Sequence, residues 1–152
     1  MKIETILKPE RTFCNLSARS KKRVIEDIAI KLAKTIDGIE AEDIFTQLIN
    51  REKIGSTGIG DCIAIPHCRI DGCNEIIGGL FTLNQPIDFE AIDDKPVDIL
   101  FVLLVPTKEV AEHLEVLAML AGKFESSSFR SELIKAEKDD ELYDRAVDST
   151  NL

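Results

Sequence analysis

Most side chains in this protein that could do chemistry fall within nineteen residues, Arg51 to Arg69, which read Arg-Glu-Lys-Ile-Gly-Ser-Thr-Gly-Ile-Gly-Asp-Cys-Ile-Ala-Ile-Pro-His-Cys-Arg. Gly55, Gly58 and Gly60 permit positive φ and let main-chain N–H groups approach a small anion closely. His67 supplies a nitrogen lone pair, because imidazole with an ordinary pKa of about 6.5 is largely neutral near pH 7. The combination suits phosphoryl transfer. A phosphorylated imidazole is a reactive N–P species whose three anionic oxygens need N–H, hydroxyl and cationic partners. Arg51 could neutralise the transferring charge, and Ser56 and Thr57 with Gly58 could form a phosphate-binding loop.

Each of these residues also has a plainer reading. A histidine after a proline at a strand end is commonly a turn residue. An arginine near a helix C-terminus is favoured by the dipole alone, and loop hydroxyls often serve turns or caps. Lys53 and Arg69 read as solvated charges or as the rim of a site. His113, the only other histidine, could orient or screen His67 through phosphoryl oxygens, or be an exposed polar residue on an amphipathic helix. Metal ligation by His67, His113, Cys62, Cys68 and Cys73 fits no usual zinc spacing. No metal or organic cofactor is expected.

The elements that must position these residues follow from periodicity. Val24, Ile25, Ile28, Ala29, Leu32, Ala33 and Ile36 recur at helical spacing within 20–36, and Asp37-Gly38 ends that helix. A shorter helix fits Ala41 to Asn50, with Arg51 at its end. Ile63-Ala64-Ile65 reads as a brief strand running directly to His67. Ile76 to Leu83 reads as a strand that breaks at Asn84-Gln85-Pro86. Val97 to Val105 is a nearly continuous apolar run, as expected of a central strand buried on both faces. Glu109 to Phe124 reads as a helix burying Val110, Leu114, Leu117, Ala118 and Ala121 and carrying His113 near its start. Two short helices follow, Ser128 to Ala136 and Asp139 or Asp140 to Val147, each preceded by residues with N-cap chemistry. Helices and strands mix along the chain, which predicts one α/β domain over residues 1–152, its core at about 5–148.

Composition narrows the function classes. A chain of 152 residues can bury roughly 70% of its extended surface, enough for a core without disulfides or metals. A formal charge of −9 repels phosphate backbones, which argues against nucleic acid and favours a protein partner with a basic face. No apolar run has signal-peptide or membrane-spanning length, so a cytoplasmic location without membrane insertion is expected. The four cysteines, Cys14, Cys62, Cys68 and Cys73, form no Cys-x-x-Cys pair and read as reduced packing residues.

Taken together, Arg51 to Gly60 and Ile63-Ala64-Ile65-Pro66-His67 resemble the fructose/mannitol-type enzyme IIA of the bacterial sugar phosphotransferase system. Pro86-Ile87-Asp88-Phe89, Ala91-Ile92-Asp93, Pro96-Val97-Asp98, Leu103-Leu104-Val105-Pro106 and His113-Leu114 look like the same family. A chain without fused sugar-specific domains looks most like its nitrogen-regulatory branch. The resemblance implies a mixed, mostly parallel sheet of about five strands with helices on both faces. It also implies that His67 accepts phosphate from an HPr-like phosphocarrier protein, with Arg51 and His113 lining the site and Ser56 and Thr57 in the surrounding loop. The expected role is a phosphotransferase component that regulates partner proteins by its phosphorylation state. A sugar-specific carrier passing phosphate to an enzyme IIB is one alternative, and an interaction module that is never phosphorylated is another. Cys62 and Cys68 stand where the family more often has glycine or another small residue, which raises redox sensitivity as a hypothesis.

Overall fold

The computed structural model describes residues 1–108 and 111–148. Its centre is β6 (Val97–Pro106), the longest apolar run in the sequence. Alternate side chains of β6 enter two separate cores: Leu100, Val102 and Leu104 on one side of the sheet, Ile99, Phe101, Leu103 and Val105 on the other. A strand buried on both faces must be apolar at nearly every position, and this one is.

Around it lie β1 (Thr12–Leu16), β2 (Gly58–Gly60), β3 (Ile63–Ala64), β4 (His67–Ile70) and β5 (Ile77–Ile87). The order is β1-β5-β6-β3-β2, with β4 also paired to β6. Pairs β1/β5, β3/β6 and β4/β6 are parallel, whereas β5/β6 and β2/β3 are antiparallel. The sheet is therefore mixed as expected, with six strands where about five were expected. β3 and β4 run one after the other along the same edge of β6, opposite Ile99–Leu100 and Leu103–Pro106 respectively. The Pro66 carbonyl between them accepts from Leu103 N–H at 2.9 Å. This shared edge fixes where His67 stands.

Helices cover both faces. α1 (Lys21–Ala33) and α2 (Ala41–Ile54) pack on one side through Val24, Ile25, Ile28, Leu32, Ile44 and Leu48. On the other side α3 (Ala111–Phe124), α4 (Ser127–Lys135) and α5 (Asp139–Val147) contribute Val116, Leu120, Phe124, Phe129, Leu133 and Leu142.

Several expectations change. β1 was not foreseen; its pairing partner, β5, is more than sixty residues away. α1 ends at Ala33, before Ile36. α2 continues to Ile54, so Arg51 lies in its last turn and not beyond it. β5 does not stop before Asn84 but runs to Ile87, because its register to β6 shifts between Thr82 and Ile87 and Pro86 falls inside that irregularity, where no ladder hydrogen bond is lost. In α3 the buried residues are Val116, Leu120 and Phe124, while Leu114, Ala118 and Ala121 are exposed. Val110 lies outside the described residues. Ser126 caps α4 by accepting from Phe129 N–H at 3.2 Å, but no side chain caps α5. Instead Asp139 accepts from Cys14 N–H of the edge strand β1 at 2.7 Å.

Candidate active site

Three elements deliver the candidate side chains to one place. Arg51 comes from the last turn of α2, His67 from the first residue of β4, and His113 from the first turn of α3. Arg51 Nε donates to His67 Nε2 at 3.4 Å, and the rings of His67 and His113 lie 5.4 Å apart at 48°. Residues separated by more than forty positions in the chain thus face one another.

The tautomer of His67 is set by its backbone. Nδ1 lies 2.8 Å from the Ile65 carbonyl oxygen, which can only accept, so Nδ1 carries the proton and donates it. Nε2 therefore keeps its lone pair, beside the Arg51 guanidinium. Burial pushes the His67 pKa below its ordinary value of 6.5; the Ile65 hydrogen bond and Glu52 act against that, and Arg51 acts with it. The ring is held neutral and nucleophilic. His113 is also pushed down, by burial first and then by His67 and Arg69. Its Nδ1 is buried and has no hydrogen-bond partner among the described residues.

Hydrogen bonds fasten the glycine loop at several points. Arg51 Nη1 donates to Gly55 O at 2.8 Å. Thr57 N–H and Oγ1 both donate to the buried Glu52 carboxylate, the former at 3.1 Å. Ser56 Oγ donates to Phe89 O at 2.7 Å and accepts from Gly58 N–H at 3.0 Å. The two hydroxyls thus bond within the protein, and Ser56, Thr57 and Gly58 shape the loop. Of the three glycines only Gly60 has positive φ, at 98°. Gly58 is needed for closeness: a Cβ there would stand 2.7 Å from the Cβ of Ala91. Gly55, at φ 169°, is in extended backbone open to any residue.

His67 stands between two hollows. One, of about 520 Å³, runs between the loop and α3 and is walled by Ile59, Ile63, Ile65, Leu117 and Phe124. The other, of about 390 Å³, is polar at its edge, with Gln47, Asn50, Arg69 and His113. Arg51 and His67 border both. Arg69 is on the rim, its guanidinium donating to the carbonyls of Pro106 and Thr107. Lys53 is exposed. Among the described residues no group of His, Cys, Asp and Glu could hold a metal ion.

The cysteines are poorly suited to redox sensing. Burial pushes the Cys68 thiol up to about 12, so almost no reactive thiolate forms. Cys62 is also raised, by burial and by Asp98 and Asp93. Cys62 does occupy left-handed backbone, φ 68°, where a glycine would be less strained.

Sequence reasoning passed over Glu52, Lys21 and the Ile65 carbonyl. Glu52 was detectable: it continues the buried stripe Ile44, Leu48, Glu52 at steps of four, so a carboxylate falls where an apolar side chain belongs.

With this geometry in hand, comparisons with known proteins converge. Residues 5–146 match the family model described as phosphoenolpyruvate-dependent sugar phosphotransferase system, EIIA 2. The nitrogen regulatory protein of Pseudomonas aeruginosa is 44% identical over 99% of this chain and 98% of its own. The crystal structure of nitrogen regulatory protein IIA-Ntr from Neisseria meningitidis superposes with a TM-score of 0.87 at 39% identity, covering 95% of this chain and 97% of that one. A more distant relative, the fructose-specific EIIA component of the phosphotransferase system in Haloferax volcanii, is 32% identical over 78% of this chain and 75% of its own.

Proposed function

Since the chain belongs to the EIIA 2 family of the phosphoenolpyruvate-dependent sugar phosphotransferase system, we propose that it is a phosphocarrier of the nitrogen-regulatory kind, with His67 Nε2 as the phosphoryl acceptor. The observation that carries this reading is the Nδ1–H bond to Ile65 O, which leaves Nε2 unprotonated, its lone pair facing the Arg51 guanidinium. In the transfer, the Nε2 lone pair forms a new N–P bond in line as the N–P bond of an HPr-like carrier's phosphohistidine breaks. The leaving imidazole keeps the bonding pair. Arg51 offsets charge on the phosphoryl oxygens, with His113 across the site. No proton need leave His67, because Nε2 carries none and the Nδ1 proton stays in its hydrogen bond to the Ile65 carbonyl.

The surface around the site suits a protein donor. Ile54 and Ile59, which border the two hollows beside His67, are 84% and 45% exposed, Leu114 next to His113 is 63% exposed, and such apolar residues favour docking of another protein. Phosphorylation would add about two negative charges at the centre of that surface, enough to change which partner binds. The names of the relatives favour a regulatory output, although the fructose-specific relative supports a second reading, transfer onward to an enzyme IIB. Among the described residues no helix is long and apolar enough to cross a membrane.

The test is a transfer assay with phosphoenolpyruvate, enzyme I and the carrier protein. Acid-labile, alkali-stable label should appear on the native protein and be absent from a folded His67→Ala variant. Unlabelled native protein, or undiminished label on the variant, would contradict the reading. Adding an enzyme IIB would separate the two outputs: the regulatory role predicts no onward transfer.

A further inference from the structure

Lys21 and Glu52 are charges placed against their own helices. Lys21 is the first residue of α1, at the positive end of its dipole, and Glu52 lies in the last turn of α2, at the negative end. Helix electrostatics disfavours both. They are nevertheless largely buried, with side chains 17% and 5% exposed and 3.0 Å between Nζ and Oε1. A buried ion pair is weak evidence for stability, since desolvation offsets most of the attraction. A different reason for its presence lies in what Glu52 touches.

From Glu52 a continuous line of hydrogen bonds leads to the nucleophile. Glu52 Oε1 accepts from Thr57 N–H at 3.1 Å, Thr57 O accepts from Ile65 N–H at 3.0 Å, and Ile65 O accepts from His67 Nδ1–H at 2.8 Å. The N–H and C=O of Thr57, and likewise of Ile65, belong to different peptide units joined through Cα, so the line fixes positions: Glu52 fastens Thr57, Thr57 fastens Ile65, and the Ile65 carbonyl is held against Nδ1–H. We propose that Glu52 is a positioning residue for His67: by fastening Thr57 it holds the Ile65 carbonyl against Nδ1–H and so the Nδ1–H tautomer, and its negative charge acts through space to favour the positive charge that develops on the ring when Nε2 bonds phosphorus. This rests on the phosphocarrier reading. Attack converts a neutral ring into one that carries both Nδ1–H and an Nε2–P bond, hence a formal positive charge. A carboxylate whose charge reaches the ring favours that state over the free imidazole, so the effect falls on the rate and not on donor binding. Lys21 Nζ, 3.0 Å away, holds Oε1 of the carboxylate in place.

The experiment compares native protein with Glu52→Gln and with the double variant Lys21→Met/Glu52→Gln, which removes both buried charges and so leaves none unpaired. Two readouts are needed. In the transfer assay, both variants should lose about tenfold in the rate of the chemical step, with the KM for the carrier protein unchanged. In unphosphorylated protein, imidazole 15N shifts of His67 should report Nδ1–H in the native chain and a mixture with Nε2–H in the variants. The His67 titration midpoint should also fall. The charged groups facing His67 are Arg51 and Glu52 from α2 and His113 from α3, and only Glu52 changes. Folded variants with native rates and an unchanged tautomer would overturn the proposal. So would an Nε2–H tautomer in the native protein, a result that needs no variant to fold. Native protein that takes no label at all would instead defeat the phosphocarrier reading, while the tautomer measurement still decides the positioning role.

Discussion

The two walls of the site are built on different principles. The wall made by α2 and the glycine loop is wired: Arg51 to Gly55 and His67, Glu52 to Thr57 and Lys21, Ser56 to Phe89. The α3 wall is held chiefly by packing. It is held from behind by Val116, Leu120 and Phe124, presents Leu114, Leu117, Ala118 and Ala121 outward or to the groove, and carries His113, whose Nδ1 has no hydrogen-bond partner among the described residues. Fixed hydrogen bonds suit a wall that must hold charge in one geometry during reaction. An apolar face with few fixed polar contacts suits one that meets other proteins. On the proposed function, chemistry falls mainly to the first wall and recognition to the second, with His113 facing the reaction from α3.

This division can be broken by substitution. The largest effect is expected of His67→Ala, which should remove all acceptor activity in the transfer assay. Arg51→Ala should slow transfer by about 10²–10³, the usual scale for a group that stabilises developing charge, read as a fall in rate with native circular dichroism. His113→Ala should cost less than Arg51→Ala; an equal or greater loss would place chemistry on both walls. Within α3 the two faces should separate cleanly. Leu120→Ala, fully buried, should lower stability by about 2–5 kcal/mol in urea titration. Leu114→Ala, 63% exposed, should stay within about 0.5 kcal/mol of native stability yet raise the KM for the carrier protein.

The smallest expected effect is in pH. His67 and His113 have folded-state pKa values below the ordinary 6.5, each chiefly through burial. Near that pH the unfolded chain therefore binds more protons than the folded one. Their contribution to stability is intact above about pH 6.5 and is lost as pH falls below it toward the folded-state values. Denaturation midpoints at about pH 7.5 and about pH 5.5 should differ less in His67→Gln than in the native protein. Acceptor activity should likewise hold its plateau through pH 6.5 and decline only at lower pH.

How much of this was legible in the sequence follows the range of the interactions. The amphipathic stripe of α1 and the apolar run of β6 are local patterns, and both elements stand where periodicity puts them. The chemistry-bearing stretch was legible too, because Arg51, His67 and the glycines lie within one segment. β1 was not, since Thr12-Phe13-Cys14-Asn15-Leu16 becomes a strand only by pairing with β5. The α3 face failed for another reason: the helix is apolar around much of its girth, so spacing alone cannot say which side packs inward. Ser56 and Thr57 read naturally as phosphate donors until Phe89 and Glu52 are seen to take their hydroxyls. Glu52 broke the apolar stripe of α2 in plain view; its partner Lys21 lies thirty-one residues earlier, and only the fold joins them.

The central claim is that His67 accepts phosphate on Nε2 because the backbone occupies Nδ1. Long-range 1H–15N and 31P spectra of enzymatically phosphorylated protein test it directly. The account predicts a single phosphohistidine whose phosphorus is bonded to Nε2 of His67, with Nδ1 still protonated. Phosphorus on Nδ1, or on any residue other than His67, would contradict it.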